Sequence, residues 1–208
     1  MRNTIESLQN SPVIAVIRRP PQDKMLDIAE ALLAGGVKHM EITMEKPESA
    51  DLIQQVKEEF GDRALVGAGT VLDEPSAVRA IHTGADFIFS PNLNCDVVRA
   101  AKRYGVTSIP GVMTPTEVVS AYEAGADVVK IFPAATLGPG YLKELKGPLP
   151  HIPMIPTGGV NASNIQEFID NGAVAVGVGG SLMDKQAIEE GNLEKLTQNA
   201  KTLFSGLR

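Results

Sequence analysis

The sequence predicts an α/β fold of the (β/α)8 TIM-barrel type, formed by a single domain over residues 1–208. Three observations support this prediction. Short Val- and Ile-rich runs alternate with helical segments, a Gly-Val or Gly-Ala step recurs between them, and no long linker divides the chain. A chain of 208 residues is long enough to bury one core, although about 250 residues is typical of this fold.

Eight short apolar runs have the length and composition of buried parallel strands. Between them lie segments with helical periodicity, including residues 23–35, 49–61, 95–105 and 115–125. The predicted strands, in chain order, are VIAVIR (13–18), HMEITM (39–44), LVGAGT (65–70), FIFSP (87–91), TSIPGV (107–112), VVKIFP (128–133), MIPTGG (154–159) and AVGVGG (175–180).

The junctions from helix to strand repeat along the chain as a glycine followed by Val or Ala. Their glycines are separated by 48, 21, 20 and 47 residues, which is one or two β/α units. The alternative is an open doubly wound sheet. It is disfavoured because no G-x-G-x-x-G turn follows the first strand and no P-loop motif occurs, so no nucleotide cofactor is expected. The five junctions are Gly36-Val37, Gly84-Ala85, Gly105-Val106, Gly125-Ala126 and Gly172-Ala173.

Composition and charge exclude several classes of partner. The formal net charge of −6 argues against nonspecific nucleic-acid binding, which usually needs a basic face. No stretch approaches the roughly 20 apolar residues of a membrane span, and residues 1–12 lack the apolar segment of a signal peptide. We therefore expect a cytoplasmic protein that binds neither nucleic acid nor a membrane.

The few cysteine and histidine residues argue against a metal site. Cys95 is the only cysteine, and His39, His82 and His151 show no HxH or HxxxH spacing. We therefore expect chemistry that needs neither a metal nor another cofactor.

Three charged residues interrupt apolar strands, at positions where a barrel carries its catalytic groups. Arg18 ends the first strand, Glu41 lies within the second and Lys130 within the sixth. Because side chains alternate along a strand, Val129 and Ile131 are predicted to face the helices. Lys130 then points into the barrel, together with Val128 and Phe132.

The same alternation places Glu41 and Thr43 on one face of the second strand and Met40, Ile42 and Met44 on the other. The three apolar side chains are expected to pack against helices. Glu41 and Lys130 then converge inside the barrel.

A lysine in a partly apolar pocket is depleted of its ammonium form by desolvation, and the neutral amine attacks carbonyls. A glutamate beside it is suited to proton transfer. Lys130 and Glu41 therefore suit Schiff-base carbon chemistry. Two structural alternatives remain at this stage: a Lys130–Glu41 ion pair that only fills the barrel, and an Arg18 that lies at a solvent-exposed strand end before Pro20-Pro21.

Glycine clusters follow the seventh and eighth strands, where barrels often bind phosphate through backbone N–H groups and a helix N-terminus. Tight-turn geometry is the alternative explanation of each cluster. Hydroxyl groups are expected to add hydrogen-bond donors, so a phosphorylated substrate is predicted. The candidate residues are Thr157, Gly158, Gly159, Gly179, Gly180 and Ser181.

Small residues end the third strand at Gly67-Ala68-Gly69-Thr70. We expect them to leave room for a ligand, with Thr70 as a hydrogen-bonding group. Pro91 and Phe132 are further candidate substrate contacts, although strand termination is the simpler reading of Pro91.

These segments together resemble the 2-dehydro-3-deoxyphosphogluconate (KDPG) and 4-hydroxy-2-oxoglutarate (KHG) aldolase family, from about Val13 to Met183. The resemblance rests on several specific motifs. They are Gly36-Val37 leading into Glu41-Ile42-Thr43, Gly67-Ala68-Gly69-Thr70-Val71, Ser90-Pro91, IPGVMTPTE over 109–117, Lys130-Ile131-Phe132-Pro133 and Pro156-Thr157-Gly158-Gly159.

The resemblance implies that Lys130 forms the Schiff base, that Glu41 is the general acid/base, and that Arg18 and Thr70 contact the pyruvyl end of the substrate. It also implies that the two glycine clusters surround a phosphate and that the enzyme is a metal-free homotrimer. Some relatives have an arginine four residues after the glutamate, where this chain has Glu45 followed by Lys46.

This departure leaves three substrates open, namely KDPG, its galactonate epimer and KHG. A non-covalent phosphate-binding barrel is an alternative of another class, either an epimerase, a transferase similar to thiamin-phosphate synthase, or a sugar-phosphate sensor.

Overall fold

The computed structural model describes residues 4–207. Within this range nine parallel strands alternate with ten α-helices. The strands are β1 (Val13–Ile17), β2 (His39–Thr43), β3 (Leu65–Gly69), β4 (Phe87–Phe89), β5 (Thr107–Ile109), β6 (Gly111–Val112), β7 (Val129–Ile131), β8 (Met154–Pro156) and β9 (Val176–Val178). The helices are α1 (Thr4–Asn10), α2 (Met25–Ala34), α3 (Ser49–Phe60), α4 (Glu74–His82), α5 (Cys95–Arg103), α6 (Pro115–Glu123), α7 (Ala134–Lys146), α8 (Ile165–Asp170), α9 (Lys185–Glu190) and α10 (Glu194–Ser205).

Seven of the eight predicted strand runs each contain one strand, and the remaining run is divided. Residues 107–112 form β5 and β6, which pair in different sheets on either side of Pro110. The prediction of one continuous strand was wrong here because proline has no N–H to donate to a strand ladder.

The strands form two parallel sheets. The larger sheet has the order β5-β4-β3-β2-β1-β9, and the smaller has the order β6-β7-β8. In the larger sheet Glu41 pairs with Val16 and Gly67, and in the smaller Lys130 pairs with Gly111 and Ile155.

The repeated Gly-Val and Gly-Ala junctions have one backbone structure. At the first of them Gly36 has φ 96°, the Gly36 N–H donates to the Leu33 carbonyl, and the Val37 N–H donates to the Leu32 carbonyl. These two bonds are those of a Schellman motif, which ends a helix with a residue in the left-handed region. The same pair of bonds and a positive φ recur at Gly84, Gly105, Gly125 and Gly172.

Alternation along the strands divides the core into two clusters. The helix-facing core contains Met40, Ile42, Val129 and Ile131, with the partly buried Met44 packed against it, so this part of the prediction is confirmed. The second, which we call the inner cluster, lies on the opposite face of the strands. It comprises Leu8, Ile14, Leu65, Phe87, Phe89, Ile109, Val128, Ile155 and Ala175.

Helix α1 contributes to this inner face near the N-terminal ends of the strands. Leu8 is fully buried in the inner cluster, and Ser7 Oγ lies 2.9 Å from His39 Nε2. His39 is fully buried, and its burial lowers the pKa of its imidazole to about 4. His39 therefore stays neutral at ordinary pH.

None of the helices within residues 4–207 combines the length and the apolar character needed to cross a membrane.

Candidate active site

A cavity of about 650 Å³ lies at the C-terminal ends of β1, β7, β8 and β9. It brings together nine of the twelve predicted site residues, whereas Thr70 and Pro91 do not line it and Glu41 is buried. The predicted contacts of Thr70 and Pro91 with substrate stay predictions. The nine lining residues are Arg18, Lys130, Phe132, Thr157, Gly158, Gly159, Gly179, Gly180 and Ser181.

A second cavity of about 550 Å³ lies at the opposite, N-terminal ends of the strands. Its charged groups are already paired, Lys57 with Asp86 and Lys102 with Asp127, each at 2.7 Å. It contains none of the predicted site residues. The chemistry therefore concentrates at the C-terminal end of the strands.

Lys130 reaches the first cavity from an apolar environment. It is 5% exposed, and its Nζ lies 4.4 Å from the centre of the Phe89 ring and 4.8 Å from that of Phe132. Burial lowers the pKa of the Lys130 ammonium, while the charge of Glu41 acts in the opposite direction. The neutral amine that attacks a carbonyl is thus more accessible here than on an exposed lysine.

Phe89 was not among the predicted site residues. The sequence did contain an indication of its inward position, because the alternation Phe87-Ile88-Phe89 places both aromatic side chains on the same face of β4. The contact with Lys130 is long-range in sequence, so the strand pattern alone did not reveal it.

Glu41 is buried within the inner face of β2 and is only 1% exposed. Burial raises the pKa of its carboxyl to about 7, against the opposing charges of Lys130 and Arg18. Its Oε2 atom has no hydrogen-bond partner among residues 4–207. This carboxyl therefore exchanges a proton near neutral pH and has an oxygen free to bind a reacting group.

The interpretation of Lys130 and Glu41 as a simple filling ion pair is not supported. The ion pairs formed within residues 4–207 do not include one between these two residues. Each charge still shifts the pKa of the other group, so the two residues are electrostatically coupled without forming an ion pair.

The sequence suggested that the small residues of β3 leave room for a ligand, but the structure shows no such room. A side chain at Gly67 would collide with the Phe87 ring, and one at Gly69 would collide with the Glu41 carboxyl. The space is filled by these two inward-facing side chains. The glycines of β3 therefore accommodate the catalytic candidate Glu41 itself.

The loop after β8 has the backbone of an anion site. Gly158 and Gly159 have φ values of 95° and 79°, which glycine adopts readily. Two carbonyl groups of this loop are engaged within the protein: the Ala134 N–H donates to the Thr157 carbonyl, and the Ala135 N–H donates to the Gly158 carbonyl. The Gly159 N–H forms no hydrogen bond with any described residue.

The loop after β9 offers similar donors to the same cavity. Here the N–H groups of Gly180 and Ser181 are also free among the described residues, and Leu182 and Met183 donate to the Gly179 carbonyl. Three N–H groups that are unpaired within residues 4–207 thus lie at the cavity, those of Gly159, Gly180 and Ser181 in two loops, an arrangement that suits phosphate oxygens.

The two predicted hydroxyl donors differ. Ser181 Oγ donates to the Val160 carbonyl at 2.8 Å, so its proton is engaged within the protein, and its contact with a ligand stays a prediction. Thr157 Oγ1 is buried and has no partner within residues 4–207, and it lies against Gly177. Of these two hydroxyls, that of Thr157 is the one left free to donate among residues 4–207.

A profile of the KDPG and KHG aldolase family matches residues 4–199. The chain belongs to the KDPG and KHG aldolase family. This confirms the resemblance that the sequence motifs indicated.

Curated relatives and solved structures agree with this membership. The chain is 39% identical over 173 residues to 2-dehydro-3-deoxy-6-phosphogalactonate aldolase of Escherichia coli K12, covering 82% of this chain and 84% of the relative. It is 34% identical to 2-dehydro-3-deoxy-phosphogluconate aldolase of Treponema pallidum, covering 95% and 94%. A structure of KDPG aldolase from Legionella pneumophila, with pyruvate captured as a covalent carbinolamine intermediate, superimposes with a TM-score of 0.89 at 30% identity, covering 96% and 97%.

Arg18 of this aldolase-family chain lies at the cavity rim with 60% of its side chain exposed, as expected for a strand end near solvent. It nevertheless affects the buried groups, because its charge lowers the pKa values of both Glu41 and Lys130. Its partner is Glu45, at 3.7 Å. The exposed strand end is thus confirmed, while the contact of Arg18 with substrate stays a prediction.

Several lining residues of the aldolase-family cavity were missed by the sequence analysis. Arg19, Asn161 and Lys185 add polar groups to its wall. No sequence motif marked Arg19 or Lys185 as site residues. These three residues lie after β1, β8 and β9, so their approach to one cavity depends on how these strands assemble.

Proposed function

We propose that this chain is a class I aldolase that cleaves 2-dehydro-3-deoxy-6-phosphogluconate to pyruvate and glyceraldehyde 3-phosphate. The observation that carries the proposal is Lys130, a buried lysine of lowered pKa that opens into a cavity beside the buried carboxyl of Glu41. This combination supplies both the nucleophile and the proton-transfer group of Schiff-base catalysis.

The reaction begins with attack of the neutral Lys130 amine on the C2 keto group. Loss of water gives an iminium ion, which accepts the electron pair of the C3–C4 bond when that bond breaks. Glu41, acting through a water, takes the proton of the C4 hydroxyl as the aldehyde forms. The enamine that remains is protonated at C3, and hydrolysis of the resulting iminium releases pyruvate and the free lysine.

The remaining residues bind the two ends of the substrate. Arg18 and Thr70 are assigned to the carboxylate of the pyruvyl end, with Pro91 and Phe132 beside the reacting carbons. The N–H groups of the loops at Gly158-Gly159 and Gly179-Gly180-Ser181, together with the Thr157 hydroxyl, are assigned to the phosphate. The free donors described above support this assignment.

Two other aldolase substrates remain alternatives. The galactonate epimer differs from KDPG in configuration, and its cleavage would use the same groups. KHG carries a carboxylate where the sugar acid continues toward its phosphate. The E. coli relative named for the phosphogalactonate keeps the first of these alternatives open.

We further propose that the two sheets close into one (β/α)8 barrel. At one seam, the Lys130 N–H donates to the Pro110 carbonyl at 2.8 Å, which joins β7 to the segment between β5 and β6. At the other seam, the Val174 N–H donates to the Met154 carbonyl at 3.1 Å, and Thr157 forms a parallel bridge with Gly177. Counting β5 and β6 as one strand interrupted by Pro110 gives eight.

The single domain over residues 1–208, the cytoplasmic location and the homotrimer also stay proposals. The first rests on the absence of a linker in the sequence and on the continuous alternation of strands and helices. The trimer rests on the family resemblance alone, and size measurement in solution would test it.

The decisive experiment is reductive trapping. The purified protein is incubated with pyruvate and borohydride, and the modified peptide is identified by mass spectrometry. The expected result is one reduced pyruvyl adduct, on Lys130. Lys146 is an internal control, because burial lowers its pKa also, yet it lies outside the cavity and donates to the Ile152 carbonyl.

Absence of an adduct in folded protein would overturn the aldolase proposal. The two glycine loops would then point to a non-covalent sugar-phosphate barrel, either an epimerase, a transferase or a sensor. Modification of Lys146 together with Lys130 would show that trapping reports amine basicity and not a catalytic site.

A further inference from the structure

Two consecutive arginines at the cavity rim turn toward one carboxylate. Arg18 Nε lies 3.7 Å from Glu45 Oε2, and Arg19 Nη2 lies 2.9 Å from Glu45 Oε1. Neighbouring side chains on an extended segment point in opposite directions. Here Arg19 has φ 50°, in the left-handed region, and this turn allows both guanidinium groups to reach the same residue.

Glu45 is held more firmly than the arginines that it contacts. Its carboxylate also accepts a hydrogen bond of 2.9 Å from Thr43 Oγ1, and Thr43 is buried on the same face of β2 as Glu41. The Glu45 side chain is 15% exposed, whereas those of Arg18 and Arg19 are 60% and 62% exposed. The carboxylate is therefore a fixed partner for the two arginines that line the cavity.

The two arginines are not equivalent. Arg19 is engaged by a hydrogen bond to Glu45, whereas the separation of 3.7 Å leaves Arg18 in a looser ion pair with most donors free. Both residues line the cavity together with Lys130. The carboxylate neutralises one of two positive charges, so one guanidinium remains to bind a ligand.

We propose that Glu45 determines the substrate class by masking Arg19 and leaving Arg18 as the single guanidinium for the carboxylate of a 2-keto acid. This inference rests on the proposed function and narrows it. The site favours phosphorylated 2-keto sugar acids over the dicarboxylate KHG.

The chemical reason lies in the second half of the substrate. In KHG the C5 carboxylate is close to the reacting C3–C4 bond, so it would need a second cation near Lys130 and would be repelled by Glu45. In the phosphorylated sugar acid this region carries neutral hydroxyl groups. Its second anion is the more distant phosphate, for which the glycine loops supply donors.

The test compares kcat/KM for KDPG and KHG in the unsubstituted protein and in Glu45→Gln. Glutamine keeps the size of the side chain and an oxygen for Thr43, but it removes the charge that masks Arg19. We expect the KHG-to-KDPG ratio of kcat/KM to rise about fivefold, the effect of one partly exposed charge pair. The matched control is Glu48→Gln, which removes one charge from the same segment, paired with Lys46 instead of the cavity arginines, and should leave the ratio unchanged.

A second pair of variants tests the masking directly. In Arg19→Gln, Glu45 loses its closer partner and should bind Arg18, so half-saturation of the borohydride-trapped adduct should need about fivefold more pyruvate. Arg19→Gln combined with Glu45→Gln should restore the original value. A purely structural role of Glu45 predicts no such restoration.

The outcomes separate this inference from the proposed function. An unchanged substrate ratio in a Glu45→Gln protein that still forms the pyruvate adduct overturns the inference alone. If that variant does not fold, an unchanged pyruvate requirement in Arg19→Gln overturns it. Absence of the adduct from the unsubstituted protein overturns the proposed function and this inference together.

Discussion

The carboxyl group of Glu41 occupies the space beside Gly69 that any larger side chain would fill. The two residues lie on neighbouring strands, where Gly69 pairs with Thr43 and Glu41 pairs with Gly67. Glu41, the proposed proton-transfer group on β2, can therefore take this position only because β3 ends in a glycine.

Gly69→Ala should displace Glu41 and slow turnover without removing the Schiff base. A shift of the carboxyl by about 1 Å is expected to lower kcat about 100-fold. Steady-state kinetics and pyruvate trapping would be measured on the same protein. Gly140→Ala is the control, because no atom lies within 4 Å of the added methyl group there. Loss of the trapped adduct together with kcat would contradict a specific effect on Glu41.

Lys130→Ala should lose turnover by about a thousandfold or more, because the covalent intermediate no longer forms. Lys130→Arg should be equally inactive, since its guanidinium remains protonated in the same pocket. Adduct trapping and steady-state rates would be measured for both variants and for the unsubstituted protein. Lys146→Ala is the control, because it removes another lysine whose pKa is lowered by burial. Residual turnover near the original rate in Lys130→Ala would refute the nucleophile assignment.

The pH profile of kcat/KM should report the buried Glu41. Its pKa is raised to about 7, and the base is its deprotonated form, so the rate should fall as pH decreases through about 7. Glu41→Gln should lower kcat about 100-fold or more, abolish this acidic limb and still permit some adduct. An unchanged limb in Glu41→Gln would assign the ionisation to another group.

Thr157→Val should have opposite effects on binding and stability. The Thr157 hydroxyl is buried without a partner, and replacing it by a methyl group should stabilise the unliganded protein by about 1 kcal/mol. The KM for the phosphorylated substrate should rise about fivefold, since one hydrogen bond to the ligand is lost. Urea unfolding and kinetics measure the two effects. Increased stability with an unchanged KM would remove Thr157 from the substrate site.

His39 should make the protein less stable in acid. The unfolded imidazole takes up a proton near pH 6.5, whereas the folded one stays neutral down to about pH 4. Lowering the pH through this window therefore favours the unfolded chain, by up to about 3 kcal/mol. Urea unfolding at several pH values should show a smaller loss in His39→Asn. His82→Asn, at the exposed end of α4, should retain the full loss.

Local sequence patterns predicted most of the architecture. Short Val- and Ile-rich runs located the strand segments, and alternation along them assigned the helix-facing side chains Met40 and Val129 correctly. The Gly-Val and Gly-Ala steps predicted the helix-to-strand junctions, because a left-handed residue at a helix end is a local requirement. One strand was misjudged, and the cause was also local, since Pro110 cannot donate to a ladder.

The sequence by itself also determined which chemistry was possible, through a lysine and a glutamate on inward-facing strand positions. Only the tertiary structure decided how those groups behave. The pKa values of Lys130 and Glu41 depend on burial by strands distant in the chain, and Phe89, Gly69 and Glu45 acquire their roles only through contacts across strands. Strand periodicity specifies the face of each side chain, whereas desolvation, charge coupling and free space depend on every segment that packs around it.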